Sequence, residues 1–207
     1  MRVVALLASL IFVAGPTRAA PAAPLVLAFG DSLTAGYGLD RGLGFAPQLQ
    51  AVMRRHGIRA TVTDGGVTGD TSSAGRARLG WTLDGLPATP DLVIVELGAN
   101  DMLRNLDPKL TEANLDAILA ELAKRKIPVL LAGMRATRNL DPAYVARFEA
   151  IYPALARKHG AAFYPFFLDG AALEPGRMQA DGMHPSFEGI KAVVTRIVPA
   201  VMAALRP

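Results

Sequence analysis

Three glycine-rich polar segments and one C-terminal turn carry most of the residues in this 207-residue chain whose types and spacing could do chemistry. Gly30-Asp31-Ser32-Leu33-Thr34-Ala35-Gly36, Gly65-Gly66-Val67-Thr68-Gly69-Asp70-Thr71 and Gly98-Ala99-Asn100-Asp101 each follow an apolar run, and Asp181-Gly182-Met183-His184-Pro185 stands near the C-terminus. The chemistry these residues suit is acyl transfer. A serine hydroxyl is a poor nucleophile until a base takes its proton, the base must be held in one tautomer, and the developing oxyanion needs donors fixed in advance. Ser32, directly after an apolar strand, is the natural nucleophile. His184 is the natural base, because the other two histidines, His56 and His159, end amphipathic segments just before glycine. Asp181, three residues earlier, reaches the same imidazole if the segment turns tightly. Gly69 offers an unhindered backbone N–H and Asn100 a side-chain amide for the oxyanion. Blander readings stand beside these: Gly69-Asp70 also fits a helix start capped by Asp70 or Thr71, and Asn100-Asp101 an Asx turn.

Other chemistries lack their parts. The chain has no cysteine, which removes thiolate nucleophiles, Cys-based zinc sites and iron–sulfur clusters. Ser32 is followed by Leu33-Thr34 rather than completing G-x-S-x-G. Gly36-Tyr37-Gly38 lacks the third glycine of G-x-G-x-x-G, and there is no G-x-x-x-x-G-K-[ST], so nucleotide cofactors lose their usual cradle. No cofactor or metal is expected.

The elements that must position these groups can be read from periodicity. Leu25–Phe29, Thr61–Thr63, Leu92–Leu97 and Val129–Met134 are short apolar runs bounded by Gly, Pro or Asp, as expected of strands in a parallel sheet covered on both faces. Between them, Phe45–His56 places Leu49, Val52 and Met53 on one helical face and stops at Gly57. Thr111 can cap a helix carrying Leu115, Ile118, Leu119 and Leu122 and ending at Lys124-Arg125-Lys126. Asp141-Pro142 pairs a cap with proline at the first helical position, ahead of a helix running to Gly160. Ser186 opens a last helix through Val201. This alternation predicts a three-layer α/β domain. Ligands of open α/β sheets bind outside the carboxyl ends of the strands, which is where the three glycine-rich segments fall.

The first twenty residues read differently. Met1-Arg2, the twelve-residue apolar run Val3–Ala14, the break at Gly15-Pro16 and Thr17-Arg18-Ala19-Ala20 form the pattern of a secretory signal peptide, cut near residues 19–23. Twelve residues are too few to span a bilayer, which takes about 20. A single domain over 24–207 and an exported product, periplasmic or extracellular, are the expectation, with no stable membrane anchor. Without the leader, Arg2 and Arg18 leave the 22 basic residues while all 18 acidic ones remain, for a net charge of +2. The remaining cations are scattered, with Arg54-Arg55 and Lys124-Arg125-Lys126 read as solvated helix ends. No basic stripe interleaved with aromatics supports nucleic-acid binding.

The four blocks Gly30-Asp31-Ser32-Leu33, Gly69-Asp70-Thr71, Gly98-Ala99-Asn100-Asp101 and Asp181-Gly182-Met183-His184-Pro185 together resemble, in order, those of the SGNH hydrolases, also called GDSL esterases/lipases. The resemblance runs from about Leu25 to the C-terminus. It is strongest toward the periplasmic thioesterase/protease/lysophospholipase branch and its arylesterase relatives, through Val95-Glu96-Leu97-Gly98, Ala150-Ile151-Tyr152-Pro153 and Tyr164-Pro165-Phe166-Phe167. It implies a flavodoxin-like α/β/α fold with a five-stranded parallel sheet and a metal-free serine esterase. By match, Ser32 is nucleophile, His184 general base then acid, and Asp181 its orienting acid. The backbone N–H groups of Ser32 and Gly69 and the Asn100 amide form the oxyanion hole. The substrates so implied are short- to medium-chain acyl esters, aryl esters, acyl thioesters or lysophospholipids, acted on by a monomer. A carbohydrate O-acetyl esterase is the alternative, and a non-catalytic binding protein a more distant one. Met183 and the segments 102–108 and 136–140 depart from the branch, so acyl-chain preference stays open.

Four further residues are read for simpler roles. Trp81, the only tryptophan, is expected to pack in the core rather than meet substrate. Asp31 is expected to fix the loop at Ser32 by accepting backbone N–H groups. Arg104 and Arg138 have the chemistry to meet a phosphate or CoA head group, and are read as solvent-facing.

Overall fold

Two strands buried along their whole length form the centre of the molecule. In the computed structural model, which describes residues 23–205, β1 (Leu25–Gly30) and β3 (Leu92–Glu96) have every residue buried. Each fully buried Leu, Ile or Phe side chain there contributes about 1.5–3 kcal/mol by leaving water, which makes these strands a stiff base for whatever follows them. With β2 (Thr61–Gly66), β4 (Val129–Ala132) and β5 (Ala162–Tyr164) they form a five-stranded, all-parallel sheet in the order β2-β1-β3-β4-β5. Seven helices accompany the sheet: α1 (Ser32–Ala35), α2 (Phe45–Arg55), α3 (Ser72–Asp84), α4 (Ala99–Leu103), α5 (Pro108–Lys124), α6 (Pro142–His159) and α7 (Phe187–Ala204). Helices α2 and α7 pack together as one layer, and α3, α5 and α6 as the other. The expected three-layer α/β architecture is therefore present. The strand order reverses at β1, which sits between β2 and β3, and this switch point opens a crevice at the carboxyl ends of those strands. The expected leader, residues 1–20, lies outside the described residues.

The departures from the periodicity reading have local causes. The fifth strand is three residues long and only partly covered, too short and too exposed to leave an apolar pattern. Strand β4 stops at Ala132 rather than Met134: the Gly133 N–H still donates to Tyr164 at the end of β5, but its carbonyl accepts from Phe167 beyond that strand, and the regular ladder ends there. Helix α5 starts at Pro108 rather than after Thr111. Asp107 is its cap, accepting from the Lys109 N–H, and Thr111 is buried inside the first turn. The Asp-Pro pair at 107–108 is the same signal that marks α6 correctly at Asp141-Pro142.

A helix, α3, does follow Gly69-Asp70, with Thr71 as its cap; its sequence of small residues hides any apolar stripe. Asn100-Asp101 lies in a helical turn rather than an Asx turn. The core role expected of Trp81 is overturned: the side chain is 81% exposed on α3. Arg125, expected to be a solvated helix end, bonds both Asp84 at 2.6 Å and Glu121 at 2.8 Å and so ties α5 to α3.

Candidate active site

The end of β1 delivers Ser32 through a single helical turn. Asp31 caps that turn, its Oδ1 accepting the Leu33 N–H at 2.9 Å, and Gly36 closes it in the left-handed region. The role expected of Asp31, fixing this loop, is thus observed. Ser32 Oγ lies 2.9 Å from His184 Nε2, across a sequence separation of 152 residues.

The segment bearing His184 turns as tightly as the Asp181–His184 spacing demands. Asp181 Oδ1 accepts the Met183 and His184 N–H groups at 2.9 and 3.0 Å, while its Oδ2 accepts from His184 Nδ1 at 2.7 Å. Gly182 makes the turn possible at φ +69°, where a side chain would strain the backbone. With the Nδ1 proton on Asp181, the Nε2 lone pair faces the serine hydroxyl. The backbone donors of His184, then the imidazole and the Met183 N–H, hold the Asp181 carboxyl down to about 2, so it stays charged wherever the imidazole must be oriented.

Two residues that sequence reasoning missed hold the histidine in place. Tyr37 packs its ring 4.5 Å from the imidazole centroid. Gln179 donates from Nε2 to the carbonyls of Tyr37 and Pro185, and its backbone N–H bonds the His184 carbonyl. The Gln179 side chain therefore laces the His184 turn to the loop after α1. Only tertiary proximity joins position 37 to position 179, so no local signal could have revealed it.

The third component is the turn Val67–Asp70, closed by an Asp70 N–H to Val67 carbonyl bond. Gly69 adopts φ +85° there, a conformation that glycine reaches without the Cβ penalty. Among the described residues neither the Ser32 nor the Gly69 N–H has an intramolecular acceptor, so both remain available to a ligand. The turn is clamped on several sides. Arg78 bonds Asp70 Oδ2 at 2.6 Å and the Gly30 carbonyl at 2.8 Å, with its guanidinium over the Phe29 ring. Arg104 donates to the Gly69 carbonyl at 2.9 Å. Asn100 donates to the Asp70 carbonyl at 3.0 Å and also to Asp31 Oδ2 at 3.0 Å. Both Asn100 amide hydrogens thus have acceptors, and an incoming oxyanion must share one of them.

Beneath the site lies a buried acidic layer. Asp101 accepts from the Ser72 N–H, the Ser72 hydroxyl and the Thr111 hydroxyl, which locks the starts of α3 and α5 to α4. Glu96, fully buried at the end of β3, accepts from the Thr34 hydroxyl at 2.7 Å through Oε2, while its Oε1 has no partner among the described residues. Burial, and then the neighbouring Asp31 carboxylate, hold Glu96 well above the usual carboxylate range. Burial likewise lifts Asp31 to about 6, against the lowering effect of its bonds to Leu33 and Asn100. Two neighbouring carboxyl groups this poorly hydrated disfavour being charged together.

All five residues singled out for acyl transfer, Ser32, Gly69, Asn100, Asp181 and His184, meet at the carboxyl edge of β1, β2 and β3. The arrangement can deprotonate a hydroxyl, orient the base and donate hydrogen bonds to a nearby oxyanion. Of the two arginines set aside, Arg138 points to solvent with Glu149 at 3.9 Å, whereas Arg104 reaches the Gly69 turn.

Comparison with known proteins gives matches over most of the chain. The sequence profile of the GDSL-like Lipase/Acylhydrolase family matches residues 28–192. The chain is 36% identical to "Esterase TesA" of Pseudomonas aeruginosa over 186 residues, covering 90% of each protein. It is also 36% identical to "Thioesterase 1/protease 1/lysophospholipase L1" of Escherichia coli, over 82% of this chain and 79% of that one. Among solved structures, the SGNH-hydrolase family esterase AlinE4 superposes with a TM-score of 0.77 at 46% identity, over 91% of this chain and 100% of that one.

Proposed function

Because the chain belongs to the GDSL-like lipase/acylhydrolase family of SGNH hydrolases and is therefore a serine hydrolase acting on ester bonds, we propose that it works through a Ser32–His184–Asp181 triad and an acyl-enzyme intermediate. The observation that carries this reading is the unbroken series Ser32 Oγ to His184 Nε2 at 2.9 Å and His184 Nδ1 to Asp181 at 2.7 Å. His184 Nε2 takes the Ser32 proton as Oγ attacks the acyl carbonyl carbon. The oxyanion that forms accepts from the N–H groups of Ser32 and Gly69 and from the Asn100 amide. The imidazolium, stabilised by the ionised Asp181, then gives its proton to the departing alcohol or thiol. Water repeats the sequence on the acyl-enzyme and frees the acid and the serine.

The substrates proposed are short- to medium-chain acyl esters, aryl esters, acyl thioesters and lysophospholipids. The active domain in this reading spans 24–207, and residues 1–20 serve as a leader for export to the periplasm or beyond. Among the described residues no helix is long and apolar enough to cross a membrane. Hydrolysis of a para-nitrophenyl ester series, acetyl to palmitoyl, alongside acyl-CoA thioesters and acetylated xylan, tests the reading when wild type is compared with Ser32→Ala. Ser32-dependent turnover with an optimum at one chain length is expected. Turnover that survives Ser32→Ala overturns the triad, and turnover confined to acetylated glycan replaces the substrate class.

A further inference from the structure

Arg104 stands where the mechanism alone gives a cation no reason to be. It directly follows α4, is exposed, and reaches across to the Gly69 carbonyl with Nη2 at 2.9 Å. A Cβ built on Gly69 would have that same nitrogen as its only neighbour, at 3.9 Å. The guanidinium therefore covers the open side of the turn whose N–H is free for the substrate oxyanion.

No carboxylate forms an ion pair with Arg104 among the described residues, and the acidic residues of the neighbouring segments are engaged elsewhere. Asp70 is committed to Arg78, Asp101 to Ser72 and Thr111, Asp31 to Leu33 and Asn100, and Asp107 to the start of α5. One hydrogen bond to a carbonyl uses one of the guanidinium's N–H donors and leaves the others, along with the whole charge, facing solvent. A planar fork of donors suits phosphoryl oxygens, which it can meet in pairs. A carbonyl partner holds the fork in place without neutralising it.

We propose that Arg104 is a specificity-determining residue that receives a phosphoryl anion carried by the alcohol or thiol portion of the substrate. The inference rests on the acyl-hydrolase reading and deepens it. A lysophospholipid headgroup and the diphosphate of an acyl-CoA both present this chemistry. The Gly69 carbonyl pins the guanidinium beside the turn whose N–H is free, so the phosphate of a lysophospholipid, a few bonds beyond the scissile oxygen, can meet it while the ester carbonyl rests on the Ser32 and Gly69 N–H groups; the diphosphate of an acyl-CoA, at the far end of the pantetheine arm, meets it only when that arm folds back.

The test compares substrates matched in acyl chain and differing only in phosphate, each below its micelle concentration. 1-Hexanoylglycerol is set against 1-hexanoylglycerol 3-phosphate, and the hexanoyl thioester of N-acetylcysteamine against hexanoyl-CoA, for wild type, Arg104→Gln and Arg104→Lys. The expected result is a wild-type kcat/KM preference for at least one phosphate-bearing member that falls about tenfold or more in Arg104→Gln, mainly through KM. Arg104→Lys should recover part of it, and added salt should erode it in wild type alone. Which pair shows the loss identifies the source of the phosphate. An equal loss on both members of both pairs overturns the proposal and leaves Arg104 as a brace for the Gly69 turn. If wild type lacks Ser32-dependent turnover of the neutral members, the hydrolase reading fails first and takes this proposal with it.

Discussion

Among the described residues two histidine–aspartate pairs match closely in distance and exposure, and only one of them has a serine hydroxyl on the far side of its imidazole. His184 and Asp181 are 2.7 Å apart, with side chains 16% and 32% exposed; His159 and Asp116 are 2.6 Å apart, with side chains 13% and 34% exposed. Distance and burial do not separate them. The difference lies in what else each group touches. The Asp116 carboxylate is shared with Lys158, whose hydrogen bond is the first cause of its lowered pKa, and the pair ties α5 to α6. The Asp181 carboxylate is held by two backbone N–H groups of its own turn, and the far nitrogen of its histidine meets Ser32. A helix-end pair needs one good contact. A catalytic pair needs its partner on the other side and a carboxylate that side-chain motion cannot carry away.

This contrast can be broken by substitution, beginning with the largest expected effect. Ser32→Ala removes the third member and should lower kcat by about 10⁴- to 10⁶-fold with an unchanged melting profile. Asp181→Asn should cost about 10³- to 10⁴-fold by losing the correct tautomer, read from kcat on a para-nitrophenyl ester. Asn100→Ala should cost about 10²- to 10³-fold in kcat, the usual effect of one oxyanion donor.

Asp31→Asn sharpens the comparison by changing electrostatics while keeping shape. The folded protein raises Asp31 from 3.8 to about 6 through burial, so its contribution to stability is fully present below pH 3.8 and is lost as pH rises through about 6. Glu96 shifts the same way. The variant removes this penalty at pH 7–8 but offers one acceptor where Asp31 offers two, leaving either the Leu33 N–H or the Asn100 amide against an NH2, a mismatch of about 1–3 kcal/mol that offsets the gain; the clear signature is a flatter dependence of stability on pH between 4 and 6. The variant should also lose about tenfold in kcat as the charge-assisted hold on Asn100 weakens. A dependence of melting temperature on pH between 4 and 6 as steep in the variant as in wild type would contradict the buried-carboxyl account. Asp116→Asn has the smallest expected effect: turnover within about twofold of wild type and a stability loss below about 1 kcal/mol, as for exposed ion pairs generally.

Much of this site was legible before any coordinates. Ser32, Gly69 and Asn100 could be located because each follows a strand, apolar for Ser32 and Asn100 and a short Thr-Val-Thr run for Gly69, and parallel strands must present their carboxyl ends on one edge. His184 could be chosen because the other histidines end amphipathic helices, and Asp181 by its three-residue spacing across a glycine. The helix starts at Asp141-Pro142 and Ser186 were readable from their caps. Helix α3 and strand β5 were not, since small residues and short half-exposed segments carry no periodicity. Trp81 misled because an indole is usually worth burying, yet the outer face of α3 packs against nothing that could cover it. Arg78, Gln179 and Tyr37 left no trace in the sequence, because their partners at Asp70, Gly30, Pro185 and His184 are set by folding rather than by spacing.

The order of apolar runs and polar turns along the chain determined that a parallel sheet would form and which residues would stand at its edge, because strand burial and capping are local preferences repeated along the sequence. Tertiary structure alone decided which donors remain free and which are engaged. The Ser32 and Gly69 N–H groups are open, both Asn100 amide hydrogens are shared, and Arg104 spends one bond on a carbonyl and keeps its charge. Those outcomes depend on distances between segments far apart in sequence, and a hydrogen bond is made or lost within a few tenths of an ångström.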